Sequence, residues 1–188
     1  LTVCRLAEDE FYIVTGTGSA ARDFNWIKLK RSYKGTLADT VDVCLVGYFT
    51  GKGARAAFGI GAVLATVYDP ATDTFKTVSR IGSGFSQEEW AQLRNVLDSN
   101  ASESMPPRVD STLTPDVWVH PTTVVTVMAD EITRSTMHTC GKDENGIGYA
   151  LRFPRAQGFL RNDKNPEDAT TVAEIITMSE NQKLVKLS

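Results

Sequence analysis

Residues 151–171, LRFPRAQGFLRNDKNPEDATT, gather the side chains of this chain best suited to holding phosphate. Arg152, Arg155, Arg161 and Lys164 follow one another closely, opposed mainly by Asp163. Leu151, Phe153, Phe159 and Leu160 sit among them, so apolar anchors alternate with outward charges. A guanidinium on a rigid strand can grip phosphate oxygens in pairs, and a neighbouring aromatic can press against a sugar or base. A solvated strand edge guarded by charge would carry a similar pattern. Positioning these groups requires two short strands around Pro154, a basic loop, and then the start of a helix.

The rest of the composition limits what that cluster can serve. With 188 residues, 41% hydrophobic and 23% charged, the chain has the make-up of a globular protein with one substantial core. A net charge of −3 excludes a generic nucleic-acid coat, so any such surface must be a local basic patch on an acidic body. Cys4, Cys44 and Cys140 are odd in number and lack C-x-x-C spacing, which points to a reducing, cytoplasmic setting. No apolar run approaches the roughly 20 residues that span a bilayer, so no membrane partner is expected. The chain does not begin with Met and reads as a fragment or a processed form.

Taken in order, residues 2–6 and 10–15 have the composition of strands joined by the acidic turn Ala7-Glu8-Asp9. Gly16-Thr17-Gly18-Ser19-Ala20-Ala21 satisfies the G-x-G-x-x-A dinucleotide spacing, but no long helix follows to hold a pyrophosphate, and it reads as a turn. In NWIKLK, Ile27 and Leu29 alternate with Lys28 and Lys30, a half-buried strand with two ammonium groups on one face. Residues 40–50, 58–68 and 74–81 form three further strands whose interior glycines suggest a small curled barrel. Ser86 and Glu89 make a capping box, and Trp90, Leu93 and Leu97 follow at helical spacing, predicting a helix to about Asp98 with Trp90 in the core.

Residues 100–115, with Pro106, Pro107 and Pro115, read as an exposed connection. PDVWVHP and TTVVTVMADEIT supply more strands, with Val124, Val127 and Ala129 as core positions. His138 and Cys140 have no second His or Cys pair, so no metal site is expected. Residues 142–148 form a turn. Thr171 and Glu174 make a second capping box ahead of Val172, Ile175 and Ile176, an apolar stripe on a helix that covers the barrel. A helix between the third and fourth strands of a five-stranded Greek-key barrel is the OB-fold arrangement, here preceded by an added hairpin, giving an all-β chain with two helices.

Several of these segments carry a family resemblance. NWIKLK, ADTVDVCLVGYF, GSGF, PDVWV, ADEIT, LRFPR and RNDKNPEDATT are similar to the C-terminal OB domain of ATP-dependent DNA ligases, over about residues 25–182. That resemblance implies a division into residues 25–34, the last strand of the nucleotidyltransferase domain, and residues 35–188, the OB domain. It implies that Lys28 and Lys30 contact the adenylate phosphate, and that Lys52 and Arg55 of the G-x-G-x-R-like loop contact phosphates. Arg152, Phe153 and Arg155 would meet the minor-groove side of nicked duplex DNA. Arg161 and Lys164, oriented by Asp163, would face the pyrophosphate of ATP. His120 stands where the family has an acidic residue. ATP and Mg2+ are cofactors of the whole ligase; none is expected to stay with this segment alone. K-x-D-G, whose lysine accepts AMP, is absent here, so nick sealing requires the catalytic domain as a partner.

Residues 1–24 follow a different pattern. RLAED-x-F-x-x-VTG resembles a strand pair of the aminomethyltransferase and dimethylglycine dehydrogenase family, and the junction near residues 24–26 suggests a chimera. A one-carbon-transfer function would need far more of that family's chain, and a chimera without retained activity is the alternative to a DNA-binding module. The foreign strands are expected to pair with the strand at residues 26–30.

Overall fold

The structure, a computed structural model, describes residues 2–5, 11–14, 39–51, 53 and 59–185. Contacts divide the chain into two units, Leu1–Tyr33 and Lys34–Ser188. In the first, β1 (Thr2–Arg5) and β2 (Phe11–Val14) form an antiparallel hairpin with Thr2 opposite Val14. The expected third strand at residues 26–30, with Lys28 and Lys30, lies outside the described residues.

In the second unit, β3 (Val41–Phe49), β4 (Ala62–Asp69) and β5 (Thr74–Ile81) form an antiparallel meander. Helix α1 (Gln87–Asp98) follows, then the short β6 (Ala101–Ser102) and β7 (Val109–Asp110) and the long β8 (Val117–Met128). The hairpin β9 (Glu131–Ser135) and β10 (Gly148–Arg152) leads into β11 (Arg155–Leu160), a 3-10 turn (Pro166–Asp168) and helix α2 (Val172–Val185). The sheet order β11-β8-β3-β4-β5-β7 returns β8 to the side of β3. Five long strands in that order, with α1 between the third and fourth, are the expected OB arrangement.

Local sequence explains the elements. Ser86 Oγ accepts the Glu89 N–H at 3.2 Å and Glu89 returns a carboxylate to the Ser86 N–H at 2.7 Å, which starts α1 where the capping box predicts. The helix buries Trp90, Leu93 and Leu97, with Trp90 edge-on to Phe85 at 4.9 Å between centroids. Strand β3 is apolar on both sides because both faces are covered. Val43 and Leu45 enter the barrel core, and Cys44 and Val46 join Leu64, Phe75 and Val109 in a second cluster.

Two expectations need correction. Residues 100–115 are more than an exposed connection, since β7 pairs in parallel with β5 and Val109 is only 4% exposed. Pro121 also does not end a strand: β8 runs through it. It stands between the stretch of β8 paired from Trp118 back to Val117 and the stretch resuming at Thr123, where the register against β3 shifts and Pro121 has no ladder bond to lose.

The barrel closes through contacts on β5. Thr139 and Cys140 both donate backbone N–H groups to the Thr77 carbonyl, and the Ser79 hydroxyl donates to the Leu151 carbonyl. Just beyond β5, Gly84 has φ 106°, and a Cβ there would lie 2.2 Å from the Ala156 nitrogen. Only glycine permits that approach of two backbones. Helix α2 starts at its own capping box, Thr171 with Glu174. It buries Ile175 as expected, but also Ser179 and Gln182. The Gln182 side-chain oxygen accepts the Ile132 N–H at 2.7 Å, and its amide nitrogen donates to the Ile132 carbonyl at 3.4 Å.

Candidate nucleic-acid interface

The two strands expected around Pro154 are β10 and β11, and the two residues between them form the tip of their connection. Phe153 sits there with φ 51°, a left-handed conformation costly for a large side chain, and remains 37% exposed. The surroundings hold it in place. The Arg152 carbonyl accepts the Asp130 N–H at 3.0 Å, and the Pro154 carbonyl accepts the Ser83 hydroxyl at 3.2 Å. The Arg152 guanidinium lies 4.8 Å from the Phe153 ring centroid and 3.2 Å from Glu131. Arg155 donates to Asp130 at 2.7 Å. A fixed aromatic flanked by two exposed guanidinium groups is therefore presented at one end of β11.

At the other end of β11, beyond the register shift against β8 between Ala156 and Leu160, the remaining cations are tied inward. Arg161 forks onto Asp163 through Nε at 2.8 Å and its second terminal nitrogen at 2.7 Å. Its remaining terminal nitrogen reaches Thr126 at 3.1 Å and Asp42 at 3.4 Å, while Lys164 Nζ donates to Asp42 at 2.5 Å. Asp42 also accepts the Thr126 hydroxyl at 2.5 Å, a partner fixed by the Asp42–Thr126 register of β3 and β8. Partial burial pushes the Asp42 carboxyl up, but hydrogen bonds from Lys164 and Thr126 and the charges of Lys164 and Arg161 outweigh it and hold it below the ordinary range. The Arg161 fork lowers Asp163 to about 2. A cleft of about 330 Å³ opens beside this cluster, lined by Arg161, Lys164, Asn162, Asn100, Thr122 and Thr123 among others.

Sequence reading thus grouped Arg152, Phe153 and Arg155 at one place and Arg161, Asp163 and Lys164 at another. It missed Asp42 and Thr126, although an acid inside the apolar run VDVCLV was a visible signal. Lys52 and Arg55 lie outside the described residues. His120 is exposed. His138 and Cys140 are buried: burial and then the Arg80 charge lower the imidazole to about 4, and burial raises the thiol to about 12. Among the described residues, no helix is long and apolar enough to cross a membrane.

Comparison with known proteins gives this geometry a family. A probable DNA ligase of Dictyoglomus thermophilum is 60% identical over 166 residues, covering 88% of this chain and 28% of that protein. A probable DNA ligase of Persephonella marina is 45% identical over 98% of this chain and 31% of its own length. The chain thus spans about three-tenths of the length of these relatives. Its fold resembles the ligase domain of M. tuberculosis LigD, with TM-score 0.50 and 24% identity over 70% of this chain and 38% of that one. The family described as the ATP dependent DNA ligase C terminal region matches residues 56–164, more than half of the sequence, and the chain belongs to that family.

Proposed function

We propose that this chain is the OB-fold module of an ATP-dependent DNA ligase, which binds nicked duplex DNA and, beside the ligase catalytic domain, assists ATP-dependent adenylylation. The observation that carries the reading is the fixed tip at Phe153. An apolar ring held in a strained conformation between Arg152 and Arg155 suits entry into a minor groove, with the guanidinium groups on flanking phosphates. Lys52 and Arg55 would add phosphate contacts from the β3–β4 loop. Lys28 and Lys30 would meet the adenylate phosphate. Residues 25–34 would then belong to the catalytic domain's last strand and 35–188 to the OB domain.

At the second place, Arg161 and Lys164 fit a polyphosphate, since two cations converge beside an open polar cleft. ATP, when bound, supplies the pyrophosphate leaving group whose charge such cations offset. Asp42 and Asp163 hold the two cations at fixed spacing in the meantime. Mg2+ would arrive with the phosphates and the catalytic domain. Buried free thiols at Cys44 and Cys140 support a cytoplasmic setting.

For residues 1–24 two readings stand: a foreign strand pair resembling the aminomethyltransferase family, or a segment continuous with the ligase. The Persephonella marina match favours the second, because 98% coverage takes in most of those residues. Binding to a fluorescent nicked duplex across a salt series tests the function. Affinity should fall steeply with salt, and Phe153→Ala should weaken it about tenfold. An absence of binding even at low salt would overturn the proposal and leave a folded chimera without retained activity.

A further inference from the structure

The arginines of the second unit are not equivalent. Arg94, Arg108, Arg134, Arg152, Arg155 and Arg161 each have a carboxylate within ion-pair distance. Arg80 has none among the described residues. It is exposed near the end of β5, with its guanidinium carbon 3.7 Å from the centroid of the Phe49 ring at the end of β3. Phe49 is itself packed against the second apolar cluster, which includes Leu64, the residue opposite Arg80 in the β4–β5 register. The guanidinium thus sits over an anchored ring. The ring covers part of the guanidinium while the residue stays exposed, and a planar fork of N–H donors matches two oxygens of one phosphate.

Its place in the fold points the same way. β4 and β5 are the second and third barrel strands, which OB folds use to meet oligonucleotides, and Phe49 ends β3 beside them. We propose that Arg80, supported by Phe49, is a DNA-backbone phosphate contact of this domain, and one that contributes more to salt-dependent affinity than the neutralised Arg152. The inference rests on the DNA-binding reading above. A cation with no carboxylate partner among the described residues adds its charge to the field felt by DNA, whereas Arg152 must first share or surrender Glu131.

The test is equilibrium binding of the nicked duplex to the whole chain, with Arg80→Gln, Arg80→Lys and Arg152→Gln compared across a salt series. Arg80→Gln should reduce the slope of log affinity against log salt by about 0.9 and weaken binding about five- to tenfold at low salt. Arg80→Lys should keep the slope while losing part of the affinity, because a lysine retains the charge without the flat fork. Arg152→Gln should move the slope less. Equal slopes and affinities for the chain and Arg80→Gln would overturn this inference and leave DNA binding intact. If the unaltered chain fails to bind, both readings fall. Displacement of the duplex by millimolar inorganic phosphate at constant ionic strength would assign the site to free phosphate and overturn the proposal.

Discussion

The two ends of β11 start from similar sequence and arrive at different electrostatics. At the tip, Arg152 and Arg155 each meet one carboxylate and remain about half exposed, at 53% and 44% of their side-chain surface. At the far end, Arg161 and Lys164 share Asp42, whose side chain is 13% exposed, and Arg161 holds Asp163 as well. The first pair keeps about half of its surface open to a partner, although Arg155 holds the buried Asp130; the second is tied to the sheet through one acid that two cations share. Counting cations in a motif does not give the charge it presents. Which acids the fold brings to each cation decides that.

The largest disturbance of this contrast should come from Gly84→Ala. The new methyl would meet the Ala156 backbone where β11 begins and would force a left-handed conformation on alanine, so a loss of about 3 kcal/mol or more is expected in chemical denaturation. Because β8 still holds the far end, amide exchange should rise at the tip before it rises near Arg161. Uniform protection along β11 would break the comparison.

Acid offers a second approach. The unfolded His138 takes up a proton near pH 6.5, but the buried imidazole does so only near 4. The unfolded state therefore binds more protons in that window. Stability is complete above about pH 6.5 and falls by on the order of 2 kcal/mol as pH drops toward 4. His138→Gln should flatten that decline in thermal melts. The Asp42 pairs, with their lowered carboxyl, should persist through the same range, since their contribution is present above the ordinary carboxylate value and is lost only below it.

Asp42→Ala removes the mostly buried carboxylate that Arg161 and Lys164 share and should cost about 2 kcal/mol, whereas Glu131→Ala removes a rim pair and should cost below about 1 kcal/mol. Equal costs would show that the far end is no better anchored than the tip.

Both capping boxes, the helix between the third and fourth barrel strands, and the strands flanking Pro154 were legible because each depends on residues close in sequence. Asp42 was not, because its role exists only once β3 lies beside β8 in a single register and residues 161–164 fold over both. Arg80 on Phe49 was hidden for a related reason: the two residues lie on strands separated by β4. Residues 100–115 misled through composition. Two-residue strands are too short to show periodicity, and the burial of Val109 comes from neighbours distant in the chain.

Gln182 has one further consequence. Its amide reads both polar groups of Ile132 as an adjacent strand would. Helix α2 therefore does more than cover apolar surface: it occupies a strand edge that would otherwise be open to another chain. A chain shortened before Gln182 would keep its barrel strands yet gain an adhesive margin, and self-association would mark the loss sooner than unfolding.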